Sequence, residues 1–139
     1  TLSSSSAASD VYKRQVLRGL HFQTRHPQGK LVRVTDGEVF DVVVDLQRSS
    51  PCFGQHTCTR LSSVNHHQLW VPPGFAHGFL VLSETAEFLY KTTDYWYPEH
   101  ERTLLWSDPE LSIDWPAENP QLSPKDLQGA ILRSCEVFD

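Results

Sequence analysis

The chain carries only three cysteines, Cys52, Cys58 and Cys135. The number is odd and no CxxC pair occurs. That argues against a disulfide framework and for reduced thiols in a cytoplasmic setting. No run of about 18 apolar residues is present, so no segment has the pattern of a membrane-spanning helix. No apolar segment near the start has the pattern of a secretory signal. Lysine and arginine total 12 against 17 aspartates and glutamates, for a formal net charge of -5. An acidic chain without a basic cluster is a poor match to nucleic acid or an anionic membrane surface. A phosphorylated small molecule stays compatible, because it needs only a few local Arg and Lys side chains.

A length of 139 residues suits one domain with a real core. Hydrophobic residues make up 39% and charged residues 21%, as in ordinary globular proteins. Aromatics reach 11% and include four Trp, which suggests an aromatic-lined cavity or interface. Residues 1–15, TLSSSSAASDVYKRQ, are Ser/Ala-rich and aperiodic. They are expected to be a disordered or artefactual leader ahead of a domain spanning 16–139.

From Val16 onward the pattern is β. Strands are expected at Lys30–Thr35, Glu38–Leu46, Thr57–Leu61, Gln68–Val71, Phe79–Leu82 and Ala86–Thr93. Asp36-Gly37 has the signature of a tight hairpin. In Glu38–Leu46, Phe40, Val42, Val44 and Leu46 share one face, and Asp41 and Asp45 lie on the other. Clusters such as Ser49-Ser50-Pro51 and Pro72-Pro73-Gly74 punctuate the strands. Many short strands without a long amphipathic helix predict an all-β sandwich or barrel. After Tyr97 the chain becomes Pro- and Asp-rich and irregular, with one helical turn near Pro124–Leu127.

Seven histidines raise the question of a metal. A strand-borne site of the HxH type needs that pair, a Glu a few residues on, and a later His. Pro72-Pro73-Gly74-Phe75-Ala76-His77 supplies the last part, but no HxH exists in the chain. His66 and His67 are adjacent, so on a strand they would point to opposite faces; they suit a surface turn better. No metal is expected.

Three other residues draw attention. Lys30 shares a face with Val32 and Val34. It either snorkels to solvent from the strand end or points inward toward a counter-charge or ligand. Tyr90 shares a face with Ala86 and Phe88, as a core tyrosine or as a phenol aimed into a cavity. His21 lies in Leu17-Arg18-Gly19-Leu20-His21-Phe22-Gln23. On a regular strand Arg18 and His21 would face opposite ways, unless Gly19 hosts a bulge that brings them to one side. Together a base, a cation and a phenol on barrel strands suit proton abstraction beside a carbonyl.

The segments VLRGLHFQ, QGKLVRVTDGEVFDVVVDL, SSPCFG, QLWVPPGFAHGF, EFLYKTTDYWYPEHER and LSPKD occur in that order. In this, the chain resembles the dTDP-4-dehydrorhamnose 3,5-epimerases from Val16 to its C-terminus. The resemblance implies a double-stranded β-helix, the cupin jelly-roll barrel, usually a homodimer, working without metal or other cofactor. It implies a dTDP-linked 4-keto-6-deoxy sugar as substrate, whose C3 and C5 protons both lie α to the C4 ketone. Carried over by position, His21 becomes the general base, Asp126 the carboxylate behind it, Tyr90 the proton donor from the opposite face, and Lys30 the cation beside the C4 oxygen. Arg18, His77, Trp96, Glu101 and Lys125 become substrate contacts. Trp96 stands where many relatives carry a thymine-stacking Tyr, with Tyr95 and Tyr97 as rival rings. The resemblance also implies that strands and substrate-binding residues normally found ahead of VLRGLHFQ are missing, so that the epimerase domain is N-terminally incomplete.

Overall fold

A computed structural model describes residues 6–139. Among the described residues, nine strands form two antiparallel sheets. They are β1 (Ser6–Lys13), β2 (Leu17–Gln23), β3 (Lys30–Asp36), β4 (Glu38–Asp45), β5 (His56–Ser62), β6 (Gln68–Val71), β7 (Phe75–Val81), β8 (Thr85–Thr92) and β9 (Glu101–Thr103). One sheet has the order β1-β8-β3-β6 and the other β5-β4-β7-β2-β9. The short helix α1 spans Pro124–Leu127, where the sequence placed its one helical turn.

The barrel interior follows from strand alternation. Val32 and Val34 of β3 and Ala86 and Phe88 of β8 come from one sheet. They pack against Val39, Leu61, Phe79 and Val81 of the other. Each fully buried Val or Leu contributes roughly 1.5–3 kcal/mol relative to exposure.

The Asp36-Gly37 turn does not close a hairpin. β3 and β4 belong to different sheets: β3 pairs with β8 and β6, and β4 with β5 and β7. Gly37, at φ +81°, turns a corner between the sheets. A Cβ there would lie 2.2 Å from the Thr85 carbonyl oxygen, so the corner needs glycine. A dipeptide signal reports the tightness of a turn. It carries no information about which strands pair afterwards.

The two faces of β4 separate as the alternation required, but both are covered. Val42, Val44 and Leu46 turn away from the barrel and pack with Leu17, Leu20, Phe22, Leu104, Leu111 and Trp115. The Pro-rich tail thus forms a second core on the back of the five-stranded sheet. Backbone bridges Val16–Gln121, Gln47–Phe138 and Leu104–Ala130 fasten it there. The opposite face of β4 carries Asp41 into the barrel.

The expected disorder of residues 1–15 is corrected for Ser6–Lys13, which pair in register with β8 from Ser6–Thr92 to Lys13–Thr85. An exposed strand edge recruits any extended segment that can satisfy its ladder, whatever its composition. Residues 1–5 lie outside the described residues.

Candidate active site

Gly19 is the local feature on which the site depends. The β2–β7 register shifts between Arg18 and His21. Arg18 pairs with Phe79, and His21 pairs with His77, both on the interior face of β7. The bulge therefore points Arg18 and His21 to the same side. Gly19 has φ +121°, and a Cβ would lie 2.6 Å from Gly78 Cα. Only glycine permits this close strand approach.

The barrel mouth holds a cavity of about 410 Å³. Arg18, His21, Lys30, His77, Tyr90, Trp96 and Glu101 line it, with Val32, Phe79 and Phe88 as its apolar floor. Seven of the nine site residues read from the sequence thus line one cavity. Asp126 stands directly behind His21. Its fully buried carboxylate accepts a hydrogen bond from His21 Nε2 at 2.6 Å and another from the Gly19 backbone N–H at 3.1 Å. Burial pushes the Asp126 carboxyl up. The His21 hydrogen bond and charge, the Gly19 N–H and Lys125 more than offset it and hold the group below the ordinary carboxylate value. Asp126 is therefore ionised, Nε2 of His21 carries the proton, and Nδ1 is left as the basic ring nitrogen. The Ser123 side chain caps α1 by accepting from Asp126 N–H, which fixes the approach of the carboxylate.

Lys30 sits at the cavity wall beside Val32. Burial lowers its pKa from the ordinary value, against the fields of Glu101 and Asp41. Tyr90 is held above the ordinary phenol value by burial and by Asp10 and Glu101, which keeps its hydroxyl protonated. The cavity thus offers a base from one sheet, and a cation and a protonated phenol from the other, to one bound molecule.

Lys125 is the exception. It does not line the main cavity, but forms an ion pair with Glu101 at 2.6 Å and lines a neighbouring depression. Of the three candidate rings, Trp96 lines the cavity. Tyr97 instead stacks on His26, with centroids 4.5 Å apart.

The structure adds three residues not read from the sequence. Asp41 accepts from His77 Nε2 at 2.8 and 3.0 Å, in a pair buried on both sides. Burial raises the Asp41 carboxyl, and His77 and Lys30 oppose it. Its alternation with the apolar row was legible, but not that its face was the inner one. Gln28 and Tyr12 also line the cavity. The Arg18 guanidinium lies 5.8 Å from the Tyr12 ring centroid. Burial and the neighbouring Asp10 push the Tyr12 phenol up to about 12.

A family model described as dTDP-4-dehydrorhamnose 3,5-epimerase matches residues 4–134. The chain belongs to that family. The dTDP-4-dehydrorhamnose 3,5-epimerase of Pseudomonas aeruginosa is 64% identical over 126 residues, covering 90% of this chain and 70% of that one. The crystal structure of the Legionella pneumophila 3,5-epimerase in complex with dTDP-4-keto-L-rhamnose matches with a TM-score of 0.92 and 50% identity. It covers 94% of this chain and 70% of that one. A dTDP-4-dehydrorhamnose 3-epimerase of Streptomyces niveus is 41% identical over 88% of this chain and 59% of its own length. Membership of this epimerase family agrees with the all-β cupin barrel and with a cavity built around an ionisable His. Among the described residues no helix is long and apolar enough to cross a membrane.

Proposed function

We propose that this chain epimerises C3 and C5 of a dTDP-4-keto-6-deoxyhexose, giving dTDP-4-dehydro-L-rhamnose. The observation that carries the reading is His21, backed by buried Asp126, across one cavity from Lys30 and Tyr90 of the facing sheet. Each inverted carbon is α to the C4 ketone, so one enolate-forming site serves both. His21 Nδ1 removes the α proton. Lys30 donates to the C4 oxygen as negative charge develops there. Tyr90 returns a proton from the other face, and its raised pKa keeps that proton available. Arg18 binds the diphosphate, a task suited to a planar guanidinium. Trp96 stacks on the thymine, and Glu101 and His77 contact the sugar. Lys125 acts through Glu101.

The test is NMR of the 4-keto sugar nucleotide in deuterated water. Deuterium at C3 and C5 with inversion at both supports the assignment. Absence of exchange with a chain extended to the length of its relatives rejects it. A single-carbon epimerase is the second reading, favoured by the similarity to the Streptomyces niveus enzyme, and inversion at C3 alone would establish it.

The working form is a homodimer in the cytoplasm. Exposed Leu31 and Trp70, neighbours on the outer face of the four-stranded sheet, offer an apolar surface for association. The three cysteines are free, as in reducing compartments. Sedimentation velocity checks the assembly state.

A further inference from the structure

Trp96 is 62% exposed, lies outside any strand, and makes one side-chain hydrogen bond, from Nε1 to Glu101 at 3.2 Å. Packing alone does not hold an indole in such a place. The segment that carries it is bonded by Gln23, the last residue of β2 and only 3% exposed. Gln23 Nε2 donates to the Tyr95 carbonyl at 3.3 Å and to the His26 carbonyl at 2.8 Å. Its Oε1 accepts from the Tyr97 backbone N–H at 2.8 Å.

We propose that Gln23 is the positioning residue of the Trp96 platform, its buried amide gripping the backbone on both sides of Trp96 and so setting where the indole meets the nucleotide base. The proposal rests on the reading of Trp96 as that platform. The chemistry of the grip requires an amide. Two carbonyls need donors and one N–H needs an acceptor, and among side chains of this length only glutamine supplies both. Glutamate keeps the acceptor but turns a lone pair on two carbonyl oxygens. Methionine fills the volume and makes none of the three bonds. Other tethers act at the edges of the segment: Gln28 Nε2 donates to the Asp94 carbonyl at 2.9 Å, and Thr24 Oγ1 to the His100 carbonyl at 3.2 Å. Gln23 brackets Trp96 itself.

The experiment is a double-mutant cycle on dTDP binding by calorimetry, using Gln23→Met, Trp96→Ala and the double variant. Backbone hydrogen exchange is followed on the peptide spanning 94–100. Loss of the three hydrogen bonds predicts dTDP binding weakened about 5- to 30-fold in Gln23→Met. Exchange at Tyr97 becomes faster. The double variant binds no more weakly than Trp96→Ala alone, and in turnover the loss falls on KM more than on kcat. Additive losses, unchanged exchange, or a loss confined to kcat overturns the role given to Gln23. If Trp96→Ala binds dTDP as tightly as wild type, the platform reading itself fails. A weakened Trp96→Ala beside an unaffected Gln23→Met rejects only the Gln23 role. Should Gln23→Met not fold, Gln23→Glu has the same size and keeps the Tyr97 acceptor; it carries the same binding and coupling predictions, without the faster exchange at Tyr97.

Discussion

His21 and Asp126, 105 residues apart in sequence, meet at 2.6 Å, with the aspartate fully buried. Two devices deliver them. The Gly19 bulge turns His21 into the barrel, and the Ser123-capped turn of α1 brings the carboxylate in from behind. Because the Gly19 N–H also bonds that carboxylate, the bulge and the pair are one unit.

Asp126→Asn removes the charge that fixes the His21 tautomer. Turnover should fall about 10²- to 10⁴-fold, the usual contribution of a general base. The carboxyl is depressed below its ordinary 3.8 in the folded state. A depressed carboxyl contributes stability that is present above the unfolded value and lost as pH falls through the folded one. Urea titrations should therefore show a stability gap between wild type and Asp126→Asn that is constant at neutral pH and shrinks below about pH 4.

Lys30→Met should stabilise the fold while disabling it. The lysine's pKa is lowered by burial, so its charge opposes folding at neutral pH. That cost is present while the ammonium is charged and fades as pH rises through its folded value. Melting curves at pH 7 should place Lys30→Met above wild type, with a smaller difference at alkaline pH. Turnover should drop about 10²- to 10³-fold for want of an oxyanion donor. A variant that melts lower would argue that Lys30 is held by contacts stronger than its desolvation.

Tyr90→Phe should separate exchange from inversion. His21 still removes and returns a proton on its own face. Deuterium enters the substrate, but the inverted product forms about 10²- to 10⁴-fold more slowly. NMR of recovered substrate distinguishes this from a variant that neither exchanges nor inverts.

Gly19→Ala should be costly despite the small change. The new methyl would meet Gly78 Cα at 2.6 Å and the His77 carbonyl oxygen at 2.8 Å, on a backbone at φ +121°. Strain and overpacking together predict a loss of about 2–5 kcal/mol in denaturant titrations. Substrate exchange should fall further than stability explains, since His21 moves with the strand.

Much of the site was legible because strand alternation is local. Lys30 with Val32, and Tyr90 with Phe88, declared their shared faces by spacing two, and both pairs line the cavity. His66 and His67 lie exposed in the turn between β5 and β6, as their adjacency suggested. Asp41 was placed on the right strand and on the face opposite the apolar row. What could not be read was that the apolar row faced backward, because the tail that covers it has no periodicity of its own. Gln23 was in plain view at the end of LRGLHFQ, but its role depends on three backbone groups from two other segments.

By itself the sequence determined the β class, the faces of its strands, the helical turn at Pro124–Leu127 and the glycine able to bulge. Those follow from covalent geometry and from contacts between near neighbours. Tertiary structure alone decided that Asp36-Gly37 joins two sheets rather than two paired strands, that Asp41 reaches His77, and that Lys125 meets Glu101 instead of the main cavity. It also decided that Ser6–Lys13 completes a sheet edge. Each of these is a pairing between distant segments, and such pairings are chosen by which surfaces remain to be buried once the barrel has closed.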